Sequence, residues 1–415
     1  MAKTVKIPVS ELRLGMYIAE LDIPWEETPF LFQGFTVNSH TDIDAVKEHC
    51  RYVFIDMSNG VGPKSAKKPQ EPLVKSSKSS LFGLFKRQEH ASPTQTIQEE
   101  IEPARRIYKK TSRLVRTFMD DIRLGISFNV ESIKKQVSSC VDSVLRNPDA
   151  MMWLTKMRTQ NDFIATHCLN VCILTICFGR ELGIPRKELE NLGLCALLHD
   201  VGLLKLSTTL MEQKAPLTKI ELTQLQTHTE LGRNVLMSAS NVYFGVIDVA
   251  YTHHEKVNGQ GYPRGLAEQQ ISPFARITSI CDTYESMTKH SIYHETRTPF
   301  GTLKYLNHEK NKSFDAQLVD KFVDFMGVFP IGSIVELNSG EVGIVISTQR
   351  KSPTQPKILV LLDKAKKPMK EKVLDLMALP QRQTEPLKII RVLQPSDYDI
   401  DLEKLQQDGL QIKLI

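Results

Sequence analysis

Apolar residues recur with a helical period through most of the middle of the chain. From 99 to 124 and from 128 to 146 they return every three or four residues with charged residues between them, which predicts amphipathic helices. The segments 163–182 and 187–199 are more uniformly apolar, as buried helices are. A capping-box sequence, TKIE, opens a further predicted helix at 218–237. The pattern predicts a mainly α fold whose largest part is a helical bundle.

Short runs of β-favouring residues lie near both ends of the chain, at 3–7, 16–23, 52–55, 333–337, 342–347 and 358–362. A short helix is expected at 41–49, and the stretch after 57 is rich in Lys, Ser and Pro without any period, which is typical of a linker. The predicted division is a small α+β domain at 1–57, a flexible linker at 58–97, a helical connector at 98–150, a main helical domain at 151–327, and a small β module with a polar tail at 328–415.

Composition narrows the class of protein. The 53 basic and 48 acidic residues leave a net charge of only +5, which does not favour binding to a nucleic acid polymer. The seven cysteines are scattered, and four lie in apolar helical runs (Cys168, Cys172, Cys177 and Cys195), which is typical of reduced thiols in a protein core. The start of the chain lacks a secretory pattern, and the longest apolar stretch, 171–179, is too short to span a bilayer. We therefore expect a cytoplasmic protein without a transmembrane segment.

Histidines concentrate where the apolar helices are predicted. Five of the eleven fall between residues 167 and 254, one of them directly before Asp200, and Asp282 follows in a later apolar helix. One such histidine is usually a hydrogen-bonded core residue, but a shared metal site explains the whole set together. Imidazole and carboxylate suit Fe, Mn or Zn, and seven ligands exceed the needs of one ion. The sequence predicts two metals bridged by Asp200, and the ligand candidates are His167, His199, Asp200, His228, His253, His254 and Asp282.

A compact turn follows the His253-His254 pair. Residues 258–263, NGQGYP, contain two glycines and a proline, which favours a tight turn. The simplest interpretation is a surface turn. The alternative is that Tyr262 and the glycine backbone border the path of a substrate to the metals.

These motifs resemble the HD-GYP family. The resemblance rests on HD-x-G at 199–202, the lone histidine of HTELG at 228, HHE-x-x-N-G-x-G-Y-P at 253–263 and ARITSICDTYESMT at 275–288, which resembles the family's last metal-binding helix. It covers about residues 150–325. The segment LRLGMYI at 12–18 resembles the domain of unknown function that often precedes HD-GYP.

The resemblance implies an HD-type helical bundle and a phosphodiesterase of the bacterial second messenger cyclic di-GMP. All seven candidates would bind two ions, Fe or Mn, with His199 and Asp200 as catalytic residues and Asp200 as the bridge. A bridging hydroxide would open the ring to pGpG, and a second cleavage would give GMP. Gly261, Tyr262 and Pro263 would contact substrate. A glutamate that holds a third metal in some members is replaced by Phe163.

Three positions depart from the family pattern. The lysine of HD-x-G-K is Leu203, the arginine before a Pro-Tyr pair is missing at 290–293, and Asn258 stands where an aspartate is usual. Loss of a charge-assisted phosphate contact would cost about 1.5–3 kcal/mol, so reduced activity is expected. The cations that could replace it are Lys205, Arg264 and Arg297.

Two other functions stay open. A protein that has lost turnover would act as a cyclic di-GMP receptor, or as a scaffold that docks a diguanylate cyclase (GGDEF) protein through the Gly-Tyr-Pro turn. The second open function is that of a phosphohydrolase that acts on another nucleotide. The helices predicted at 99–124 and 128–146 could also pair with a second copy in a homodimer, although packing within one chain explains them equally well.

Overall fold

The computed structural model of the 415-residue chain describes residues 4–22, 35–37, 43–44, 46–47, 50–56, 93–126, 130–156, 163–211, 216–239, 242–288, 297–349, 352–378, 386–393 and 397–398. The chain divides into two compact units, Met1–Lys78 and Ser79–Ile415. Most of the predicted linker, 58–92, lies outside the described residues. The five predicted segments and the four boundaries between them stay predictions.

The first unit contains a four-stranded antiparallel sheet. Its strands are β1 (Thr4–Pro8), β2 (Tyr17–Leu21), β3 (Phe35–Thr36) and β4 (Tyr52–Asp56), in the spatial order β1-β4-β2-β3. Val53 and Ile55, alternate residues of the central strand β4, are fully buried, as expected for a strand with one face on a core. The three predicted strands are confirmed, and β3 was not predicted. The helix predicted at 41–49 is helical at the four residues that are described there.

The second unit is mainly helical. Its helices are α1 (Ile97–Leu124), α2 (Glu131–Arg146), α3 (Pro148–Thr155), α4 (Phe163–Glu181), α5 (Arg186–Leu198), α6 (Thr208–Met211), α7 (Lys219–Gln226), α8 (His228–Met237), α9 (Phe244–Thr252), α10 (Pro273–Thr288), α11 (Pro299–His308) and α12 (Ala316–Met326). Thr96 caps α1 through a reciprocal pair of bonds with Glu99, and Gly125 ends it with φ at 72°.

The helix predicted at 218–237 is two helices. The predicted capping box of Thr218 and Glu221 is present and begins α7, but α7 ends at Gln226 and α8 begins at His228. The prediction of one continuous helix was therefore wrong. The break gives His228 the first position of a helix, which an apolar period cannot reveal.

Helix α4 is the core of the bundle. It packs against α1, α2, α3, α5 and α10. Among the described helices it alone is long and apolar enough to cross a membrane, but 83% of the relevant window is buried inside the protein. Its apolar surface is therefore covered by the surrounding helices.

The C-terminal part forms a five-stranded antiparallel sheet in the order β8-β7-β6-β5-β9. The strands are β5 (Ile334–Leu337), β6 (Val342–Ser347), β7 (Lys357–Leu362), β8 (Pro368–Asp375) and β9 (Ile389–Leu393). The predicted β5, β6 and β7 are confirmed. Strands β8 and β9 were missed; they are the two edge strands, of which β8 is rich in charged residues and β9 buries less than the central strands do. The predicted fold class, a mainly α protein with small sheets at both ends, is confirmed.

Candidate metal centre

Five of the seven predicted ligands lie where a helix begins or ends. His199 and Asp200 directly follow α5, His228 opens α8, and His253 and His254 directly follow α9. The other two project from within helices, His167 from α4 and Asp282 from α10. All are buried except His254, which is half-buried. Residues far apart in sequence are thus brought together in the interior of the bundle.

The ligand atoms form two groups. The Asp282 group consists of His167, His199 and Asp282, and the His254 group consists of Asp200, His228, His253 and His254. Within each group the candidate ligand atoms lie within 4.8 Å of one another. The structure therefore brings all seven predicted ligands together as two adjoining sets.

Asp200, a member of the His254 group, also borders the Asp282 group. Its Oδ2 is 3.3 Å from His199 Nε2 and 3.7 Å from His167 Nε2. Its Oδ1 is 3.3 Å from Nε2 of both His228 and His253. One carboxylate oxygen therefore faces each group, which is the arrangement that a bridging carboxylate requires.

The other ring nitrogen of each buried histidine is held by an acceptor. Nδ1 of His199 lies 2.7 Å from the Ala196 carbonyl, and the corresponding distances are 2.7 Å for His228 to Leu225 and 3.0 Å for His253 to Val249. A carbonyl can only accept, so Nδ1 donates, and in the neutral form of each ring Nε2 is left with a lone pair that faces the cluster. Metal-binding histidines are typically held in this way.

A cation fits the resulting cluster of lone pairs. His199 Nε2 and Asp200 Oδ1 are buried, and neither has a hydrogen-bond partner among the described residues. Nε2 of His228 and Nε2 of His253 are only 3.4 Å apart. Buried acceptors that face one another without a proton between them are costly unless a cation satisfies them. Imidazole and carboxylate donors suit Fe, Mn or Zn.

The two groups differ in their electrostatics. Burial opposes the charged form of His167, but Glu285 and Asp282 outweigh it and raise the pKa of His167 to about 9. Burial likewise opposes the ionised form of Asp200, yet His199, His228 and His253 hold the pKa of Asp200 well below its ordinary value. Burial, followed by the neighbouring His253 and His228, lowers the pKa of His254 well below its ordinary value. His167 thus favours a bound proton, whereas His254 supplies a neutral imidazole.

One glycine allows two ligand-bearing segments to touch. A Cβ atom added to Gly202 would lie 1.8 Å from the His228 carbonyl oxygen and 2.5 Å from the Gly232 nitrogen. Gly202 belongs to the short 3-10 helix that directly follows Asp200. Since only glycine fits, it allows Asp200 to approach the beginning of α8.

The Gly-Tyr-Pro turn packs against the ligand pair that precedes it. The Tyr262 ring stacks on His254, with 4.8 Å between ring centroids and 27° between planes. Buried Glu255 accepts hydrogen bonds from the backbone N–H groups of Arg264, at 2.7 Å, and Leu266, at 2.9 Å. A Cβ added to Gly261 would lie 2.3 Å from the Lys256 nitrogen. Gly261, Tyr262 and Pro263 are half-buried, so the turn is fixed beside the cluster rather than free at the surface.

The three residues predicted to replace the family's phosphate-binding lysine make contacts elsewhere than at the candidate metal ligands. Lys205 Nζ donates to the Ile122 carbonyl at 2.5 Å, near the end of α1. The Arg297 guanidinium lies 5.0 Å from the centre of the Tyr305 ring, and the Arg264 side chain is exposed. Among the contacts described for these side chains, none involves a predicted metal ligand. Their role at a substrate phosphate stays a prediction, and residues 290–293 lie outside the described part of the chain.

Sequence reasoning missed the groups that hold the cluster in place. Glu285 contacts His167 Nδ1, and Glu255 fixes the turn. Glu285 lies three residues after Asp282 in an otherwise apolar helix, so it shares a helix face with a predicted ligand. That spacing was a usable signal. Phe163, at the position of the family's third-metal glutamate, is 54% exposed and stacks on His167 with 6.3 Å between ring centroids.

Comparison with known families agrees with this geometry. Residues 149–318 match the HD domain family, residues 4–133 match a domain of unknown function (DUF3391), and residues 334–401 match a KOW domain associated with the HD domain. The paired His-Asp cluster and the helical bundle are those of an HD-domain metal phosphohydrolase.

The chain belongs to the HD-GYP family. It is 30% identical over 374 residues to the cyclic di-GMP phosphodiesterase PA4108 of Pseudomonas aeruginosa. This match covers 89% of this chain and 88% of that protein. It is 28% identical over 178 residues to 3'3'-cGAMP-specific phosphodiesterase 1 of Vibrio cholerae, over 42% of this chain and 40% of that protein. A solved HDG"Y"P protein from Bdellovibrio bacteriovorus is 19% identical and covers 77% of this chain and 98% of that one, with a TM-score of 0.46.

Proposed function

We propose that this protein is a metal-dependent phosphodiesterase that hydrolyses cyclic di-GMP to pGpG and then to GMP. The position of Asp200 carries the proposal, because its two oxygens face two separate sets of ligands at 3.3 Å. The similarity to the Pseudomonas aeruginosa enzyme over most of both chains supports the choice of substrate.

The proposed cofactor is a pair of divalent ions, Fe or Mn. Asp200 would serve both ions, one together with the Asp282 group and the other together with the three imidazoles of the His254 group. When bound, such a pair supplies Lewis acidity and lowers the pKa of water enough for attack at phosphorus. The cofactor would also satisfy the buried acceptors on His199 and Asp200.

The protein groups around the ions have separate roles in this proposal. Asp200, ionised and buried, would be a ligand of both ions, and the Nδ1 contacts keep the imidazoles turned inward. Tyr262, held beside His254, offers an aromatic ring to a guanine base. A cytoplasmic location, a homodimer and a GGDEF partner at the Gly-Tyr-Pro turn belong to the same proposal and rest on the sequence alone.

Product analysis with anaerobically purified protein tests the function. Protein loaded with Fe or Mn should convert cyclic di-GMP to pGpG under reducing conditions. Asp200→Asn should lose both ions and all turnover, because the bridge serves both groups. Asp120→Asn, at an exposed ion pair with Arg123, is the matched control and should behave as wild type. Loaded wild-type protein that leaves cyclic di-GMP intact would overturn the proposal.

Two alternatives are separated by the same assay. The Vibrio cholerae relative favours 3'3'-cGAMP as a second candidate substrate. Leu203, in place of the family's lysine, favours a receptor or scaffold without turnover. Faster cleavage of 3'3'-cGAMP would support the first alternative, and saturable binding of cyclic di-GMP to metal-loaded protein without product would support the second.

A further inference from the structure

A chain of buried hydrogen bonds connects α1 to a ligand of the metal centre. Tyr108 Oη donates to Asn170 Oδ1 at 3.0 Å, and Asn170 Nδ2 donates to Glu285 Oε1 at 3.1 Å. The other oxygen of Glu285 contacts His167 Nδ1. The four side chains come from α1, α4 and α10, and each is at most 6% exposed. Bulk water is therefore a poor substitute partner for any of them.

The chemistry of each group sets the direction of donation. A carboxylate only accepts, so Glu285 requires the NH2 of Asn170 on one side and the N–H of His167 on the other. With its NH2 turned to Glu285, Asn170 presents its carbonyl oxygen to Tyr108, which donates. The opposite amide orientation would place that oxygen against the carboxylate. Glu285 therefore sets the orientation of the Asn170 amide and requires a proton on Nδ1 of His167. Tyr108 stabilises this arrangement by donating to the Asn170 oxygen.

The chain of hydrogen bonds determines which nitrogen of the His167 ring is free to bind a metal. In the neutral ring, with its one proton on Nδ1, the lone pair of His167 Nε2 faces the cluster, where Nε2 lies 3.1 Å from Asp282 Oδ1 and 3.7 Å from Asp200 Oδ2. A carboxylate behind a metal-binding imidazole fixes its tautomer and raises its basicity. The chain of bonds accounts for the orientation of a ligand without contacting the metal itself.

His167 is held differently from the other histidines. His199, His228 and His253 use backbone carbonyls three or four residues earlier in the chain, so their orientation is set locally. His167 depends on side chains from two other helices. One of these, α1, lies within the stretch matched to the domain of unknown function and outside the HD match at 149–318.

We propose that Tyr108, Asn170 and Glu285 are positioning residues for His167, so that helix α1 completes the metal centre of the HD domain. The proposal rests on the metal site of the proposed function, but not on its substrate. It assigns a physical role to a helix from the stretch matched to DUF3391.

Binding of Mn²⁺ alone to the full-length protein tests this role. Glu285→Gln should weaken binding at one of two sites by about 10–100-fold, the usual loss for an outer partner of a ligand. Tyr108→Phe should weaken the same site by a smaller factor, roughly 3–10-fold on the same scale. In the double variant the loss should be no larger than in Glu285→Gln, because both changes interrupt one chain.

Tyr284→Phe is the matched control. Tyr284 lies on α10 between Asp282 and Glu285, is fully buried, and its hydroxyl has no hydrogen-bond partner among the described residues. The Tyr284→Phe variant should therefore bind Mn²⁺ with the affinity of the wild-type protein. Thermal unfolding in chelator separates folding from metal binding, and the Nδ1 proton of His167, observed by NMR in Zn²⁺-loaded protein, should be shifted or lost in Glu285→Gln. Should Tyr108→Phe not fold, Asn170→Leu interrupts the same chain.

The outcomes separate this proposal from the function. Wild-type binding of Mn²⁺ by Tyr108→Phe, or by Asn170→Leu in its place, would overturn the role of α1. Two bound Mn²⁺ ions in wild-type protein that does not cleave cyclic di-GMP would overturn the function alone, and the variant affinities would still decide the positioning role. Wild-type protein that binds no metal would overturn both.

Discussion

The two ligand groups are built in different ways. The Asp282 group draws His167 and Asp282 from within helices and carries two imidazoles whose pKa is raised above the ordinary value, because nearby carboxylates outweigh burial. The His254 group takes its imidazoles from helix ends, and burial lowers the pKa of His253 and His254. A metal at His167 and His199 therefore competes with protons more strongly than a metal at His253 and His254 does. Asp200 couples them because it faces both.

Removal of the Asp282 carboxylate should cause the largest difference in metal affinity between the two groups. Asp282→Ala takes the one unshared carboxylate from its group, so that site should lose more than about 100-fold in metal affinity, above the loss for an outer partner. The metal content of Asp282→Ala, measured by metal analysis, should be one ion per chain instead of two, and its turnover should be lost. His254→Ala should affect the opposite site. Retention of both ions in Asp282→Ala would contradict the division into two groups.

Acidification should weaken one site more than the other. Since the pKa of His167 is raised to about 9 in the metal-free protein, metal must displace a proton from it at neutral pH. Affinity at the Asp282 group should therefore fall about tenfold per displaced proton for each unit of pH below 9. His253 and His254, whose pKa values burial lowers, have no proton to displace there. Mn²⁺ titrations from pH 6 to 9 measure both slopes, and equal slopes would contradict the distinction.

Tyr262 stacks on His254, so its substitution tests whether substrate binds beside the His254 group. Tyr262→Ala removes the ring beside His254 and should raise KM for cyclic di-GMP by about tenfold, within the range for the loss of one base–aromatic stack. Tyr262→Phe keeps the ring and is the matched control. Steady-state kinetics with both variants decide the matter, and an unchanged KM in Tyr262→Ala would remove the turn from the substrate path.

Lys205 should have the smallest effect on catalysis. Because its amino group donates to the Ile122 carbonyl, Lys205→Ala should cost about 0.5–1.5 kcal/mol of stability and leave KM within about twofold of wild type. Thermal unfolding and kinetics measure the two quantities. A large increase in KM would show instead that Lys205 replaces the family's missing lysine, as the sequence suggested.

Short local spacing indicated four of the seven ligand candidates, whereas His167, His228 and Asp282 were proposed from their place in apolar helices and from the family resemblance. His199-Asp200, His253-His254 and the capping box of α7 are adjacent or near-adjacent patterns, and the structure brings each predicted ligand into one buried cluster. Asn170 and Tyr108 could not be predicted in the same way. They are ordinary polar residues on helix faces, and their importance depends on which helices pack together. The break at Thr227 and the edge strands β8 and β9 were missed because apolar periodicity reports burial rather than helix ends or sheet edges.

Anomalous diffraction from crystals of the Mn-loaded protein tests the central claim most directly. The account predicts two manganese peaks, one on either side of the Asp200 carboxylate and roughly 3.5–4 Å apart, as in two-metal phosphoryl-transfer sites. A single peak, or two peaks that do not share Asp200, would contradict it.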